Sequence, residues 1–190
     1  MGAQGSLVAV VLAAGEGSRF DGPSHKLLAP FDESTVVGTA IAAALEADIG
    51  PLAVVTGAVP LWDVIPPGVV VLSNPSWADG QAGSVQVAVA WAEELGATQL
   101  VVGLGDQPRV GPAAWRTVAA GPEAPIAVAR FGDVRCPPVR LDRSVWPLLP
   151  SVGDGGARTL IRNRPDLVVD VDCEGDPADI DTTEDLARWS

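Results

Sequence analysis

A short glycine-containing loop follows the first apolar stretch of the chain, and its residue types suit the binding of phosphate. The stretch Leu7–Ala13 predicts a buried strand, and residues 14–20 read Ala-Gly-Glu-Gly-Ser-Arg-Phe. Small residues at the end of a strand let backbone N–H groups approach phosphate oxygens closely and form an anion-binding nest. Arg19 offers a planar fork and Lys26 a point charge for the same phosphates. The spacing therefore predicts a phosphate site.

The loop does not match two familiar phosphate-binding glycine motifs. A P-loop reads G-x-x-x-x-G-K-[ST], which the chain lacks. The dinucleotide fingerprint has a third glycine where Phe20 stands, so Gly15 and Gly17 alone are weak evidence for a dinucleotide site. Taken by themselves, the two glycines fit a plain turn as well as a phosphate loop.

Three aspartates are candidates for a metal site. Asp106 follows the apolar run Leu100–Leu104 at its carboxyl end, where open α/β sheets bind their ligands. A carboxylate there suits Mg²⁺, which prefers a few carboxylates plus substrate phosphate oxygens, although aspartates are also common in turns and helix caps. Asp179 and Asp181 alternate, so in extended backbone they point to opposite sides. Only one of these two is therefore expected to bind metal.

The overall composition predicts a compact, acidic protein. Hydrophobic residues make up 47% and charged residues 19% of the 190 residues, and the formal net charge is −12. This charge argues against a nucleic-acid or anionic-membrane partner, because binding to such surfaces needs clustered Lys and Arg. An acidic protein that binds phosphates must gather its few cations at one place or use a divalent metal.

The cysteines and the N-terminal region favour a cytoplasmic protein. Cys136 and Cys173 lie far apart and in no C-x-x-C arrangement, so two reduced thiols are expected and not a disulfide or a zinc site. The first six residues have no basic region, and the apolar run Leu7–Ala14 is too short for a transmembrane helix. We therefore expect no membrane segment.

Apolar, β-branched-rich runs alternate with helical patterns along the chain. Near-continuous hydrophobic runs are typical of strands covered on both faces, and they lie at Leu7–Ala13, Leu52–Thr56, Val69–Leu72, Leu100–Leu104, Ile126–Ala129 and Val168–Val171. Helices are predicted at Thr35–Ala47, Ser84–Leu95, Pro112–Ala120, Gly155–Arg162 with Asp154 as a cap, and after the capping-box sequence Thr182–Asp185. The alternation predicts a mostly parallel sheet with helices on both faces, in one domain spanning residues 1–190.

Five segments, in order, resemble the MobA-like nucleotidyltransferases, and the L-A-A-G form is most similar to the molybdenum cofactor cytidylyltransferase branch. The segments are Leu12–Phe20 followed by Lys26, Asn74–Ser84, Gly105–Pro108, Gly153–Arg158 and Asp179–Thr182. The later four resemble the N-P-x-W-x-x-G-x-x-x-S, G-D-Q-P, G-D-x-G-A-R and D-I-D-T segments of that branch. The resemblance covers nearly the whole chain, and it implies a three-layer α/β/α, Rossmann-like nucleotidyltransferase fold with a mostly parallel sheet.

The resemblance also implies roles for individual residues. Nucleotide binding is expected from Leu12, Ala13, Ala14, Gly15, Gly17, Ser18, Arg19, Lys26, Thr56, Gly57, Asn74, Gly80, Ser84 and Asp106. Among these, Arg19, Lys26 and Asp106 are expected to be catalytic. Acceptor binding is expected from Gln107, Arg135, Asp154 and Arg158. Asp106 and Asp179 are the expected ligands of Mg²⁺, and Asp181 is expected to orient the cap of the last helix.

The reaction implied by the resemblance is the Mg²⁺-dependent transfer of CMP from CTP to molybdenum-loaded molybdopterin, with release of pyrophosphate. A molybdenum hydroxylase apoenzyme is the expected recipient of the product. Three alternatives stay open: a guanylyltransferase acting on molybdopterin or another phosphorylated acceptor, a catalytically silent carrier of nucleotide or cofactor, and a dinucleotide-dependent oxidoreductase. The last of these would need the third glycine of the fingerprint.

The chain departs from the family pattern at three places. Gly17 stands where the family usually has Ser, and the interval from Arg19 to Lys26 is longer than expected, which predicts a displaced lysine or a bulged loop. The family's R-G-H-P segment has the counterpart Arg135-Cys136-Pro137-Pro138, without the histidine. The only histidine, His25, is expected to be a loop residue and not a base.

Overall fold

A seven-stranded sheet forms the centre of the computed structural model, which describes residues 6–189. Its strands are β1 (Leu7–Ala13), β4 (Leu52–Thr56), β5 (Val70–Ser73), β6 (Gln99–Leu104), β7 (Ile126–Phe131), β8 (Val134–Asp142) and β9 (Val168–Asp172). They lie in the order β5-β4-β1-β6-β8-β7-β9, and only β8 runs antiparallel to its neighbours. A small hairpin of β2 (Pro30–Phe31) and β3 (Ser34–Thr35) stands apart from this sheet.

Helices cover both faces of the sheet. They are α1 (Val36–Ala47), α2 (Gln81–Glu94), α3 (Pro112–Ala119), α4 (Gly156–Asn163) and α5 (Thr183–Trp189). The even-numbered residues of β1 from Val8 to Leu12 pack in one core with α2 and α4. The odd-numbered residues from Ala9 to Ala13 pack in a second core with α1 and α3. Both faces of the strand are buried, which is why its sequence is hydrophobic without alternation and why the three-layer prediction is confirmed.

The predicted strands are all present, but the sequence pattern missed β8. This strand carries Arg135, Arg140 and the pair Pro137–Pro138, so it does not read as a buried hydrophobic run. Its ladder with β7 shifts register between Val128 and Ala129, opposite the prolines, which cannot donate backbone hydrogen bonds. An interrupted antiparallel strand between two parallel ones was therefore invisible to the periodicity.

Two predicted helix starts are corrected by the structure. The helix predicted from Ser84 begins at Gln81, after Gly80 at φ +105°. Asp154 does not cap α4, because the N-cap residue is Gly155 and it makes no side-chain cap hydrogen bond. The capping box before α5 is confirmed: Asp185 N–H donates to Thr182 Oγ1 at 3.1 Å, and Thr182 N–H donates to Asp185 Oδ2 at 2.9 Å.

Candidate active site

A cavity of about 350 Å³ opens at the carboxyl ends of β1 and β6, which are adjacent parallel strands. Strand ends at this edge are where open α/β sheets bind their ligands. Most of the predicted site residues line it: Leu12, Ala13, Ala14, Gly15, Gly17, Ser18, Arg19, Lys26, Gly80, Ser84, Asp106 and Asp154. The topology therefore brings together segments that lie far apart in the chain, from Leu12 on the first strand to Asp154 in the loop before α4.

Lys26 stands at the centre of the charged wall. Its Nζ donates to Asp106 Oδ2 at 2.7 Å and to Asp181 Oδ1 at 2.9 Å, and only 7% of the residue is exposed. Burial alone would lower the pKa of Lys26, but the charges and hydrogen bonds of Asp106 and Asp181 outweigh it and raise the pKa. Arg19 reaches the other oxygen of Asp181 at 3.0 Å. The longer interval before Lys26 therefore does not displace it from the site.

The glycine loop is held against Lys26 by His25. The Nε2 of His25 lies 3.2 Å from the Gly15 carbonyl, and Nδ1 accepts from Leu27 N–H at 3.2 Å, which assigns the neutral ring with its proton on Nε2. Burial lowers the pKa of His25 and favours this neutral form. Gly17 has φ +66°, and a β-carbon there would lie 2.9 Å from Lys26 Cγ. Glycine at this position therefore lets the loop pack closely against Lys26 without strain.

The segment before α5 fixes the two further aspartates on opposite sides of one buried residue. Ile180 is fully buried and donates its N–H to the carbonyl of Asp106 at 2.9 Å. Asp181 consequently faces Lys26, whereas Asp179 accepts from Gln107 Nε2 at 2.6 Å. The Asp181 side chain does not orient the helix cap as expected, because its carboxylate pairs with Lys26 and Arg19. Thr182 and Asp185 form the cap, and Asp181 contributes its backbone N–H to Asp185 Oδ2 at 3.2 Å.

The charges of the cavity fit a hard divalent cation bound together with a nucleotide. Burial raises the pKa of Asp179, and the negative charge of Asp106 adds to that effect. Within residues 6–189 no three His, Cys, Asp or Glu side chains form a group that could hold a metal alone. Mg²⁺ typically uses one or two carboxylates and completes its shell with water and phosphate oxygens. The assignment of Asp106 and Asp179 as ligands stays a prediction.

Three residues predicted to bind nucleotide lie behind the cavity wall instead of lining it. Asn74 is buried and uses both ends of its amide, donating to Ser84 Oγ at 2.9 Å and accepting from Ser76 N–H at 3.0 Å. Thr56 donates to the Leu72 carbonyl at 3.3 Å. A β-carbon at Gly57 would lie 2.7 Å from the Ala14 carbonyl, so this glycine lets two strand ends meet. These three residues support the cavity wall from behind, and the other predicted residues face the cavity.

The four residues predicted to bind the acceptor fall in three places. Asp154 lines the nucleotide cavity, and Gln107 lies beneath it, bonded to Asp179 and the Pro177 carbonyl. Arg135 and Arg158 line a second, mostly aliphatic cavity of about 80 Å³ next to the first. Arg135 donates two hydrogen bonds, of 2.6 and 3.0 Å, to the carboxylate of Asp170. No hydrogen bond or ion pair of Arg158 is found within residues 6–189, which leaves it available to an anion.

Cys136 also lines the second cavity, at the position of the glycine in the family's R-G-H-P segment, and Pro137 stands where that segment has histidine. Its Sγ lies 2.7 Å from Gln107 Nε2. Burial raises the pKa of Cys136 to about 11, so the group is a neutral thiol near pH 7 and neither a base nor a nucleophile of note.

Several cavity residues were not assigned to nucleotide or acceptor binding: Glu16, Leu27, Trp77, Ala78, Gln81, Leu104 and Asp181. Of these, Asp181 was a candidate for the metal site. Glu16 and Ala78 lie inside motifs whose neighbours were assigned, so their position in the motif was the available signal. Gln81 also lies inside such a motif, the Asn74–Ser84 segment, and the structure adds that it is the first residue of α2.

The arrangement of fold and cavity is that of a nucleotide-binding α/β enzyme, and comparison with known proteins identifies the class. The model of the MobA-like NTP transferase domain matches residues 9–168. The chain is 31% identical to the solved structure of Rv0371c from Mycobacterium tuberculosis H37Rv, with 97% of each chain covered and a TM-score of 0.82. A structure of that protein in complex with manganese matches at 30% identity, again with 97% of each chain covered and a TM-score of 0.81.

A second relative has the name of an oxidoreductase and not of a transferase. The chain is 29% identical to nicotine blue oxidoreductase of Paenarthrobacter nicotinovorans, over 94% of each sequence. The family match and the match to Rv0371c together show that the chain belongs to the MobA-like NTP transferase family, and it is a nucleotidyltransferase. Within residues 6–189, no helix has both the length and the apolar character needed to cross a membrane.

Proposed function

We propose that this chain is a Mg²⁺-dependent cytidylyltransferase that transfers CMP from CTP to molybdenum-loaded molybdopterin in the cytoplasm and releases pyrophosphate. One observation carries the nucleotidyl-transfer part of the proposal: Lys26 joins Asp106 and Asp181 beneath a glycine loop at the carboxyl edge of a parallel sheet. The choice of cytosine rests on the Leu12–Gly15 sequence, and the choice of acceptor on the resemblance of the later segments. One domain, residues 1–190, would carry the activity.

The nucleotide would bind with its phosphates against the loop and the two cations. Backbone N–H groups of residues 14–18, Arg19 and Lys26 would hold the β- and γ-phosphates. Carboxylates outnumber cations in the cavity wall, where the charged residues are Glu16, Arg19, Lys26, Asp106, Asp154 and Asp181. An NTP adds about four negative charges to this wall, so binding needs a divalent cation beside the nucleotide. Asp106 and Asp179 would hold Mg²⁺, which when bound offsets phosphate charge.

The transfer step would be an in-line displacement at the α-phosphorus. An oxygen of the acceptor's terminal phosphate attacks, the bond to the β-phosphate oxygen breaks, and that electron pair leaves with pyrophosphate. A phosphate dianion is already a competent nucleophile near neutral pH, so the reaction needs no strong general base. This agrees with a site whose only histidine is used to hold the loop. Positioning and charge stabilisation would supply the catalysis, with Arg158 as the anion-binding group on the acceptor side.

The test is pyrophosphate release with Mg²⁺ and each of CTP, GTP, UTP and ATP, with and without molybdenum-loaded molybdopterin. We expect release that depends on acceptor, is fastest with CTP, and is lost in Asp106→Ala. Fastest release with GTP would show that the transferred nucleotide is GMP and not CMP. Binding of nucleotide without release from any NTP would favour the carrier. Transfer of the product to a molybdenum hydroxylase apoenzyme would support that enzyme as the partner.

A second candidate function, an oxidoreductase, is favoured by the name of one relative, nicotine blue oxidoreductase. Phe20 occupies the position of the third glycine in a dinucleotide fingerprint, which disfavours this reading. Tight binding and oxidation of NADH or NADPH by the purified chain would support it. Absence of both, together with pyrophosphate release, would exclude it.

A further inference from the structure

The two cavities share part of their walls. The larger lies over the ends of β1 and β6, and the smaller lies between α2, α4 and β8. Among the described residues, those that line both are Leu12, Gln81 and Leu104. Two molecules that occupy the two cavities would therefore meet beside these three side chains. Gln81 is the polar one of the three.

Gln81 lies at this junction because the first residues of α2 and α4 are close together. It is the first residue of α2, directly after Gly80, whose φ of +105° turns the chain into the helix. A β-carbon at Gly156, the first residue of α4, would lie 2.9 Å from Gln81 Oε1. The end of the glutamine side chain thus reaches across to α4, and glycine at position 156 leaves room for it.

Among residues 6–189 the amide of Gln81 has no hydrogen-bond partner, in contrast to three other side-chain amides. Asn74 donates to Ser84, Gln86 donates to the carbonyls of Leu149 and Pro150, and Gln107 donates to Asp179. No hydrogen bond of the Gln81 side chain is found in the part of the chain from residue 6 to residue 189. Both N–H donors of this amide are therefore available to a substrate.

We propose that Gln81 is a catalytic residue that donates hydrogen bonds from Nε2 to the two phosphate groups that react, the α-phosphate of the nucleotide and the attacking phosphate of the acceptor. This inference rests on the proposed nucleotidyl transfer. Two anions must approach each other in this step, and a neutral amide with two N–H donors binds an oxygen of each. The amide gives up no proton, because the attacking oxygen is already ionised and the leaving electron pair departs with pyrophosphate.

An amide suits this position better than a carboxylate. A carboxylate would repel both phosphates, whereas an amide offers an N–H donor to each of them and brings no negative charge. The five-coordinate transition state draws the two phosphates closer than the bound substrates, so a donor shared between them strengthens as the reaction proceeds.

The test compares Gln81→Met and Gln81→Glu with Gln86→Met. Gln81→Met keeps the length of the side chain and removes both donors, so we expect kcat for pyrophosphate release to fall about 100-fold. The KM values and the dissociation constant of the nucleotide should change by about threefold at most, because the lost contact forms mainly in the transition state. Gln81→Glu should be slower still. Gln86→Met, five residues along the same helix, is the matched control and should keep its kcat.

The outcomes separate the two proposals. Wild-type chain that turns over, beside Gln81→Met with the same kcat, would overturn the role of Gln81 and leave the proposed function standing. A loss that lies entirely in nucleotide affinity would also overturn it, because it would make Gln81 a binding residue of one substrate. Wild-type chain that releases no pyrophosphate would overturn the proposed function and, with it, this role.

Discussion

Replacing Lys26 by methionine tests the charged centre of the site. Methionine keeps much of the length of the side chain and removes the ammonium that lies 2.7 Å from Asp106 Oδ2 and 2.9 Å from Asp181 Oδ1. At these distances each ion pair is worth about 6 kcal/mol in gross Coulomb energy at an effective dielectric constant of 20. Removing the ammonium also removes the cost of burying its charge, and this offsets part of the lost Coulomb energy, by several kcal/mol. We therefore expect the free energy of unfolding to fall by about 2–3 kcal/mol.

The same substitution should have a larger effect on activity. If Lys26 holds the phosphates, its loss should lower kcat/KM for the nucleotide about 10²- to 10³-fold. The matched control is Arg116→Met on α3, which removes the same charge from an exposed ion pair with Glu46 on α1. Exposed pairs contribute about 0–1 kcal/mol, so this control should be nearly wild-type in both stability and activity.

Denaturant unfolding with and without Mg²⁺ and steady-state pyrophosphate release measure the two effects. Without Lys26, the carboxylates of Asp106 and Asp181 repel each other, so Mg²⁺ should raise the unfolding free energy of Lys26→Met by more than it raises that of the wild type. The reasoning would be refuted by a Lys26→Met chain that unfolds like Arg116→Met and keeps its kcat/KM. Loss of stability with full activity would confine Lys26 to a structural role.

Three further predictions concern the loop and the core. Gly17→Ser should lower kcat/KM and reduce the unfolding free energy by about 1–2 kcal/mol, because a side chain at φ +66° meets Lys26 Cγ; thermal unfolding measures the second effect. The unfolding free energy should fall as pH drops below 6.5, because the fold lowers the pKa of His25 and the unfolded chain therefore binds this proton first. His25→Gln should remove this part of the pH dependence in denaturant titrations between pH 5 and 7. Arg140→Met should lower the unfolding free energy by about 3 kcal/mol in the same assay. Arg140 is 3% exposed, and its guanidinium donates to the Ala119 and Gly121 carbonyls at the end of α3, which lose this partner in the variant.

The parts of the fold that the sequence predicted are those whose pattern is local. A strand such as β1, buried on both faces, must be hydrophobic at every position, and that can be read without knowing its neighbours. β8 could not be read this way, because its buried Arg140 and its prolines are explained only by the helix end and the register shift that they meet in the folded chain.

The same distinction applies to the site. Lys26 and Asp106 were predicted from motifs that lie next to predicted strand ends. The place of Asp181 was not predicted, because it depends on the hydrogen bond from Ile180 to Asp106, a contact across more than 70 residues. Asn74 was predicted to bind nucleotide, yet its amide is used within the wall, since a motif residue can shape a site without touching the ligand.

The most direct test of the central claim is to determine which phosphate of the nucleotide the acceptor receives. The chain is incubated with Mg²⁺, molybdenum-loaded molybdopterin and CTP labelled at either the α- or the γ-phosphate, and the products are separated. Nucleotidyl transfer predicts α-label in the modified acceptor and γ-label in pyrophosphate. Appearance of γ-label in the acceptor, or release of γ-label as inorganic phosphate without any modified acceptor, would contradict the account.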